Sequence, residues 1–416
     1  MSKRLKALVL AQYHQPDIGG ASTRASNVVK GLLSRGCEVK VVAAFPHYPH
    51  GNVPRAYRRK AVALEKTGEP RVLRVWIPAL PHSGVVNRII LHLCFVFSSL
   101  FALPFVGDFD VVWVANPNLF GFYSAVVYGF IRQKPIVRNV DDLWPEVFYE
   151  LGLVKSGLMK KLLGLLAWLS YVVPAAITPI SAGYTRTIME KYSVRREKIH
   201  VVEVGVDSVE PLVKNEDLKD QFVALYSGVL GFGYDFDIIL NAARLLQEYE
   251  NIVFVIRGVG ELAAELRKRI RELGLRNVVL DTRFLPKEKL SALLDSADVF
   301  MLPMASVGVV DKGLPTKVFE YQAHGKPIVC VSGGEPARYI EATGSGLVVK
   351  PRDAQGLAEA VLRLYGDGKL ASMLGWNGWQ HVSENLTVKE IGERMYEVLA
   401  SVEHNPRARL CVHGSC

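Results

Sequence analysis

Short apolar runs, rich in valine and isoleucine and bounded by glycine, proline or polar turns, recur along the chain and read as buried strands. Ala7-Leu-Val-Leu-Ala11 and Val39 to Ala43 flank a glycine turn and a segment in which Val28, Val29, Leu32 and Leu33 share one helical face, closed by Gly36. A strand, turn, helix and second strand in that order predict the opening of a parallel α/β layer. Strands follow at Asp110 to Ala115, Pro135 to Arg138 and Ile177 to Ser181. The alternation then begins afresh at Phe222 to Gly228 and continues through Ile252 to Gly260, Val278, Val299 to Pro303, Ile328 to Val331 and Leu347 to Lys350. At 416 residues the chain exceeds what one core serves, so the pattern predicts two doubly wound α/β domains. The expected division is 1–207, a polar linker at 208–220, 221–385, a helix at 386–403 and a tail at 404–416.

One run departs from this rhythm. Ile89 to Val106 holds no charged residue over eighteen positions, the length at which a spanning helix must be considered. His92, Ser98, Ser99 and Pro104 interrupt it, and the chain returns at once to a strand of the first sheet. A helix lying in the membrane interface is therefore expected, with Phe95, Phe97 and Phe101 facing lipid; a wholly buried core helix is the alternative. Leu158 to Val173, which carries Lys160, Lys161, Trp168 and Tyr171, has the mixture to assist it. Charge supports a surface partner for this half. Residues 1–200 hold 26 Lys and Arg against 12 Asp and Glu, a net +14, whereas the remainder holds 24 against 29, a net −5. No nucleic-acid fingerprint accompanies the basic half, so an anionic membrane surface is expected and nucleic acid is not. Met1 to Lys6 leads directly into a strand, without a secretory core, and five cysteines share no metal-ligand spacing. A reduced cytoplasmic setting, peripheral on the inner face of the membrane, is the expectation.

Candidate chemistry concentrates in a few stretches. Lys312-Gly-Leu-Pro-Thr-Lys-Val-Phe-Glu-Tyr-Gln-Ala-His-Gly-Lys-Pro327 reads as a turn at Gly313 and Pro315, a cap at Thr316, and a short helix stopped by Gly325. A helix that starts in such a turn offers amides and a positive dipole end to a diphosphate. Glu320, one turn on, suits a ribose diol, and Lys317 and Lys312 suit phosphate oxygens. Taken alone, the stretch also fits an ordinary capped helix with solvated charges. Asn139-Val-Asp141-Asp142-Leu-Trp-Pro-Glu146 falls at the carboxyl edge of a strand, where α/β proteins bind ligands. Gly19 and Gly20 lie in the first turn without a GxGxxG, so no dinucleotide fingerprint is present. His47 and His50 sit in a proline-rich loop and suggest no third metal ligand. Asp108-Phe-Asp110 and Asp235-Phe-Asp237 spell Asp-x-Asp, but one precedes a strand and the other starts a helix, so no metal and no cofactor are expected.

The stretch at 312–327 resembles the donor-binding signature of glycosyltransferase family 4, matching it at Pro315, Glu320, Tyr321, Ala323, Gly325, Lys326 and Pro327. The family's first glutamate falls at Gly313 and is absent. The Pro-Thr-Lys-x-x-Glu form and Asp142-Leu-Trp-Pro-Glu146 resemble the branch that builds surface polysaccharides, including aminosugar transferases of the fucosamine type. Pro16 to Gly20 resembles the family's Pro-x-x-Gly-Gly turn, Gly36-Cys-Glu-Val its Gly-His-Glu-Val, and Gly205-Val-Asp207 the end of its Pro-Asn-Gly-Val-Asp.

That resemblance, which covers about residues 5 to 400, implies the GT-B architecture, two Rossmann-like domains facing across a cleft, with the C-terminal helix returning to the first. It implies a retaining glycosyltransferase, hexosyl or N-acetylaminosugar, that uses a nucleoside-diphosphate sugar and a lipid-linked or membrane-proximal saccharide acceptor. Gly19, Gly20 and Arg24 become cleft-facing candidates. Many members carry His-Asp where this chain has Asp141 and Asp142; either is a candidate base for the acceptor's proton, and sugar-ring contact is the equal alternative. The family's basic turn after Gly228 is replaced here by Phe232 and Tyr234, so the diphosphate is expected on Gly231, Gly233, the helix after Pro315, Lys317 and Arg257. A structural salt bridge is the other reading of Arg257. Two further function classes stay open at this point: a sugar-nucleotide 2-epimerase and a non-catalytic nucleotide-sugar binder.

Overall fold

Leu8, Val9, Leu10 and Ala11 are completely shielded from solvent, which is what a continuous apolar run implies for a central strand covered on both faces. The computed structural model describes residues 4–65, 69–82, 84–115, 119–150, 152, 154–207, 209, 221–283, 285–305 and 308–404. The expected linker, Val209 apart, and the tail beyond 404 lie outside the described residues. The chain forms two compact units, Met1–Gly205 with Val388–Cys416, and Val206–Thr387.

In chain order the first unit runs β1 (Lys6–Ala11), α1 (Gly20–Ser34), β2 (Glu38–Ala44), β3 (Val62–Glu65), β4 (Arg71–Val75), α2 (Val85–Leu100), β5 (Val111–Val114) and α3 (Gly121–Arg132). It continues β6 (Ile136–Val140), α4 (Glu146–Glu150), α5 (Gly157–Val172), β7 (Ala176–Pro179) and α6 (Ala182–Tyr192). The sheet order is β3-β4-β2-β1-β5-β6-β7, parallel except for β3, which pairs antiparallel with β4 at the edge. Neither β3 nor β4 is expected from the sequence. Polar positions break their pattern, and what fixes them is Arg74, buried, with its Nε 2.8 Å from Glu65.

The second unit runs β8 (Phe222–Ser227), α7 (Phe236–Leu245), β9 (Ile252–Arg257), α8 (Ala263–Glu272), β10 (Val278–Asp281), α9 (Lys287–Asp295) and β11 (Val299–Pro303). Then follow α10 (Thr316–Ala323), β12 (Ile328–Val331), α11 (Glu335–Thr343), β13 (Gly346–Val349), α12 (Ala354–Gly366) and α13 (Gly368–Asn385). Its sheet, β10-β9-β8-β11-β12-β13, is wholly parallel. Strand order reverses between β8 and β11, and between β1 and β5 in the first sheet, so each unit has a switch point where ligands of open α/β sheets bind.

α14 (Val388–Glu403) packs in the first unit against α1. A Cβ placed on Gly31 would stand 2.5 Å from the Val388 carbonyl oxygen and 2.6 Å from Gly392 Cα, so the two helices touch backbone to backbone. Arg35 secures the crossing through Glu393 and by lying 4.9 Å over the Tyr396 ring.

α2 is two-faced. Leu91, Phe95, Ser98 and Ser99 are buried, while Phe97 is 64 % exposed and Phe101 and Phe105 are each 67 % exposed. The expectation that Phe95 faces lipid is therefore corrected: the helix turns that ring into the sheet. Leu158, Leu162, Leu165 and Trp168 of α5 are also exposed. Among the described residues, no helix is long and apolar enough to cross a membrane.

Candidate functional site

In the second unit Lys317 projects from the first turn of α10 over the turn that follows β8. Its Nζ lies 3.8 Å from the Tyr234 ring centre and 4.8 Å from that of Tyr226, and donates to the Tyr226 hydroxyl at 3.1 Å. A side chain at Gly228 would put its Cβ 2.6 Å from that ammonium nitrogen, so glycine is what lets the lysine reach the turn. Desolvation pushes the Lys317 pKa down to about 7, against the pull of Glu320. The turn after Gly228 carries Phe232 and Tyr234, and the amine beside it comes from α10, flanked by the rings of Tyr226 and Tyr234.

Tyr321 joins the same helix to the strand end. Its hydroxyl donates to the Ser227 carbonyl at 3.0 Å and accepts from the Ser227 amide at 2.9 Å, while its ring stacks on Phe300 at 4.0 Å. Arg257, at the end of β9, is buried and donates to Ser227 Oγ at 3.4 Å and to the Arg283 carbonyl at 3.3 Å; its Nε has no partner. Burial holds its pKa below the usual arginine value, with Asp281 and Glu320 opposing from a distance. Asp281 is itself gripped by Arg283 at 2.8 and 3.0 Å, which leaves the Arg257 fork uncommitted to a carboxylate. Glu320 is exposed, so the water that reaches it damps the upward push of desolvation on its pKa, which the charges of His324, Lys317 and Arg257 also oppose.

The remaining second-unit candidates divide. Pro315 occupies the cap position with φ −64° and ψ 139°, and Thr316 is the first helical residue, so the cap expected at Thr316 is corrected. Gly313 is buried and extended (φ −92°, ψ 154°), with no left-handed turn. A Cβ at Gly231 or Gly233 would meet nothing nearer than 3.5 and 3.9 Å respectively, so neither glycine is sterically required. Gly258 was not singled out from the sequence, yet a Cβ there would fall 1.6 Å from the Gly228 carbonyl oxygen. Its signal was the Gly-Val-Gly that follows the apolar strand ending at Arg257.

In the first unit, Asp141 and Asp142 leave the carboxyl end of β6. Asp141 accepts from Asn139 Nδ2 at 2.7 Å, and Asn139 Oδ1 in turn accepts from Arg24 Nε and Nη2 at 3.3 and 3.2 Å. Arg24 also bonds the Glu203 carbonyl and lies 5.7 Å over Trp113. It is 1 % exposed, and burial pushes its pKa down to about 10. Arg24 is thus the buried root of a relay that orients Asp141, and it does not present its guanidinium to solvent. Desolvation raises the Asp141 carboxyl, partly offset by Arg24. Asp142 is pushed up to about 7 by desolvation and the Asp141 charge, an effect moderated by the water that reaches its exposed side chain. Glu146, the third carboxylate of this stretch, is buried and engaged by Tyr192 and, at 2.8 Å, by Lys191. Asn139 and Tyr184, whose hydroxyl donates to the Asp141 carbonyl at 3.3 Å, carry roles that the sequence did not announce.

Gly19 (φ +147°) precedes α1 directly, and Gly20 is that helix's first residue, so the glycine pair is the helix start itself. The Asp-x-Asp carboxylates are occupied: Asp108 pairs with Lys6 at 3.2 Å, Asp110 accepts from the Lys6 amide, Asp235 caps α7, and Asp237 meets Arg269. Among the described residues, no group of three His, Cys, Asp or Glu is placed to hold a metal.

Comparison with known proteins bears on both units. Residues 18–210 match the family model described as Glycosyltransferase Family 4, and residues 210–381 match that described as Glycosyl transferases group 1. The chain is 25 % identical to the putative colanic acid biosynthesis glycosyl transferase WcaI of Escherichia coli K12, over 86 % of this chain and 91 % of that protein. It is 31 % identical to the amylovoran biosynthesis glycosyltransferase AmsK of Erwinia amylovora, a match that spans 40 % of this chain and 42 % of that relative. Among solved structures, Anabaena HepE in complex with UDP superposes with a TM-score of 0.69 over 95 % of this chain and all of that one, at 17 % identity, a likeness of fold. The two models together account for residues 18–381, and the chain belongs to glycosyltransferase family 4, with the GT-B fold.

Proposed function

We propose that the protein transfers a hexosyl or N-acetylaminosugar residue from a UDP-sugar to a saccharide acceptor at the membrane surface, in the synthesis of a cell-surface glycan. The observation that carries this reading is the Lys317, Arg257 and Glu320 constellation at the switch point of the second sheet. It offers the Arg257 guanidinium, an amine on Lys317 that a bound diphosphate would charge, and helix amides for the diphosphate, with one exposed carboxylate for a ribose diol. Support for UDP comes from HepE, solved with UDP and with UDP-glucose, and support for surface glycans from the names of WcaI and AmsK.

In the transfer, the bond between the anomeric carbon and the diphosphate oxygen breaks, UDP leaves, and the acceptor oxygen forms the new glycosidic bond. Asp142, whose pKa is raised by desolvation and by the Asp141 charge, takes the acceptor hydroxyl's proton in its ionised form. Asp141, fixed through Asn139 by Arg24, orients the sugar. Lys317, Arg257 and the amides at the start of α10 meet the charge that develops on the leaving diphosphate, without a metal. The resemblance to the family supports retention at the anomeric carbon. The exposed Phe97, Phe101 and Phe105, with Leu162, Leu165 and Trp168 beside Lys160 and Lys161, give the basic unit an interfacial face for anionic lipid on the cytoplasmic side.

Labelled UDP-sugars incubated with the protein, with and without membrane lipid extract, test the proposal. Lipid-dependent UDP release supports it. Lipid-independent conversion to an epimer, or no turnover at all, contradicts it.

A further inference from the structure

Lys317 has a second property that donor binding does not use. Its amine keeps a lone pair, stands within reach of solvent, and lies at a helix start that attracts phosphate. Each condition is set by neighbouring residues.

The hydrogen bond between Lys317 and Tyr226 has one possible direction. The Tyr226 hydroxyl gives its hydrogen to the Val229 carbonyl oxygen at 2.7 Å, so towards Lys317 Nζ, at 3.1 Å, it can only accept. An unprotonated amine in this position therefore spends an N–H on the phenol and keeps its lone pair. Burial holds the Tyr226 phenol well above the ordinary tyrosine value, so no phenolate stands there to keep the amine charged. Desolvation, opposed by Glu320 one turn on along α10, lowers the Lys317 pKa to about 7 and leaves much of it as free amine near neutrality.

The amine is not sealed in. Gly228, Tyr234 and Lys317 itself are each half-buried, and Gly228 leaves open the flank where a Cβ would lie 2.6 Å from Nζ. Phosphate is drawn to the same place. No side chain caps α10, whose N-cap is Pro315, so the first amides of the helix are open to an anion. Arg257, which pairs in register with Ser227 just before Gly228, spends its fork on Ser227 Oγ and the Arg283 carbonyl and on no carboxylate. A nucleophilic amine beside a phosphate seat matches one class of reagent, the acyl phosphate, whose electrophilic carbon is joined to phosphorus through a single oxygen.

We propose that Lys317 is an acylation site for acyl phosphates, and that its acylation switches off donor binding. This rests on the reading of the start of α10 as the donor's diphosphate seat. The reagent's phosphate takes that seat and the Lys317 nitrogen attacks the carbonyl carbon. A C–N bond forms, the bond from that carbon to the phosphate oxygen breaks, and the amine's proton leaves on inorganic phosphate. The amide nitrogen that results is no longer basic, so a diphosphate loses the cation it would have raised on α10.

Acetyl phosphate, with peptide mass spectrometry read over time at neutral pH, tests this on the wild type. Lys317 should be acetylated about tenfold or more faster than Lys161 and Lys369, which stand in solvent. Its lead should shrink with the N-hydroxysuccinimide ester of acetate, an acylating agent without a phosphate. Inorganic diphosphate should protect Lys317 and leave Lys161 unprotected. Protein acetylated at Lys317 should bind inorganic diphosphate and UDP about tenfold or more weakly than protein acetylated under that protection, with the same circular dichroism spectrum. Acetylation of Lys317 no faster than that of Lys161, a lead as large with the ester as with acetyl phosphate, or undiminished diphosphate affinity after acetylation each overturn the proposal. The donor reading fails separately. Protection by inorganic diphosphate but none by UDP refutes the nucleotide and leaves the acylation standing, whereas UDP binding without preferential acetylation refutes the acylation alone.

Discussion

Lys317 offers a prediction whose sign and size follow from its surroundings. With its pKa at about 7 in the free protein, about three-quarters of the molecules carry a neutral Lys317 at pH 7.5. A bound diphosphate sits against the amine and restores its ordinary preference for the charged form. UDP binding should then take up about 0.75 proton at pH 7.5, about 0.95 at pH 8.5 and about 0.1 at pH 6. Protonation favours the complex, so affinity is highest below pH 7 and falls up to tenfold per unit as pH rises from 7 towards the pKa of the bound state. Calorimetry in phosphate and Tris buffers reads the uptake, because the apparent enthalpy differs by the proton count times the difference in buffer ionisation enthalpy. UDP's terminal phosphate titrates near pH 6 and contributes equally to any variant. The difference between wild type and Lys317→Met therefore isolates the lysine. That substitution should also weaken UDP binding by about 1.5–3 kcal/mol, the range for a charged hydrogen bond. Equal proton uptake by the two proteins at pH 7.5, or none in either, would refute the reasoning.

Asp142→Asn should lower kcat about 100-fold or more and remove the acid limb that a carboxyl raised above its ordinary pKa gives the wild type, as read in a pH profile of sugar transfer; a limb that persists excludes Asp142 as the proton acceptor. Replacing Phe97, Phe101 and Phe105 together with serine should release the protein from anionic liposomes in a sedimentation assay while leaving its thermal midpoint nearly unchanged, since all three rings are exposed. Gly392→Ala should destabilise the first unit by about 1–3 kcal/mol in urea unfolding, because its Cβ would lie 2.4 Å from the Gly31 backbone. Gly164→Ala, in a helix with nothing within 4 Å, should be neutral or stabilising by comparison.

Sequence carried the fold well where burial was two-sided. Strands such as Leu8 to Ala11 and Val299 to Pro303 are covered on both faces, and an unbroken apolar run is the direct imprint of that environment. It failed at β3 and β4, an edge pair whose Glu65 and Arg74 satisfy each other across the chain and so leave no periodic trace. On α2 the length and apolarity of the run were legible but its orientation was not, because phenylalanines at 95, 97 and 101 look alike until the sheet decides which one it takes. Lys317 and Glu320 were legible as an isolated cation and an isolated carboxylate after a helix start. The cage of Tyr226 and Tyr234 was not, since it joins residues from a strand, a turn and a helix ninety positions apart in chain order. The same holds for Arg24, whose charge suggested a ligand until Asn139 and Glu203 were brought onto it.

Everything in the functional account passes through the grip of α10 on the nucleotide tail of the donor. Titration calorimetry of UDP into wild type and Glu320→Ala tests that grip most directly. The account predicts an affinity lower by about 1–3 kcal/mol in the variant, with Glu320→Gln in between, as befits a carboxylate that accepts from a ribose diol. UDP affinity that is the same in all three proteins would contradict it.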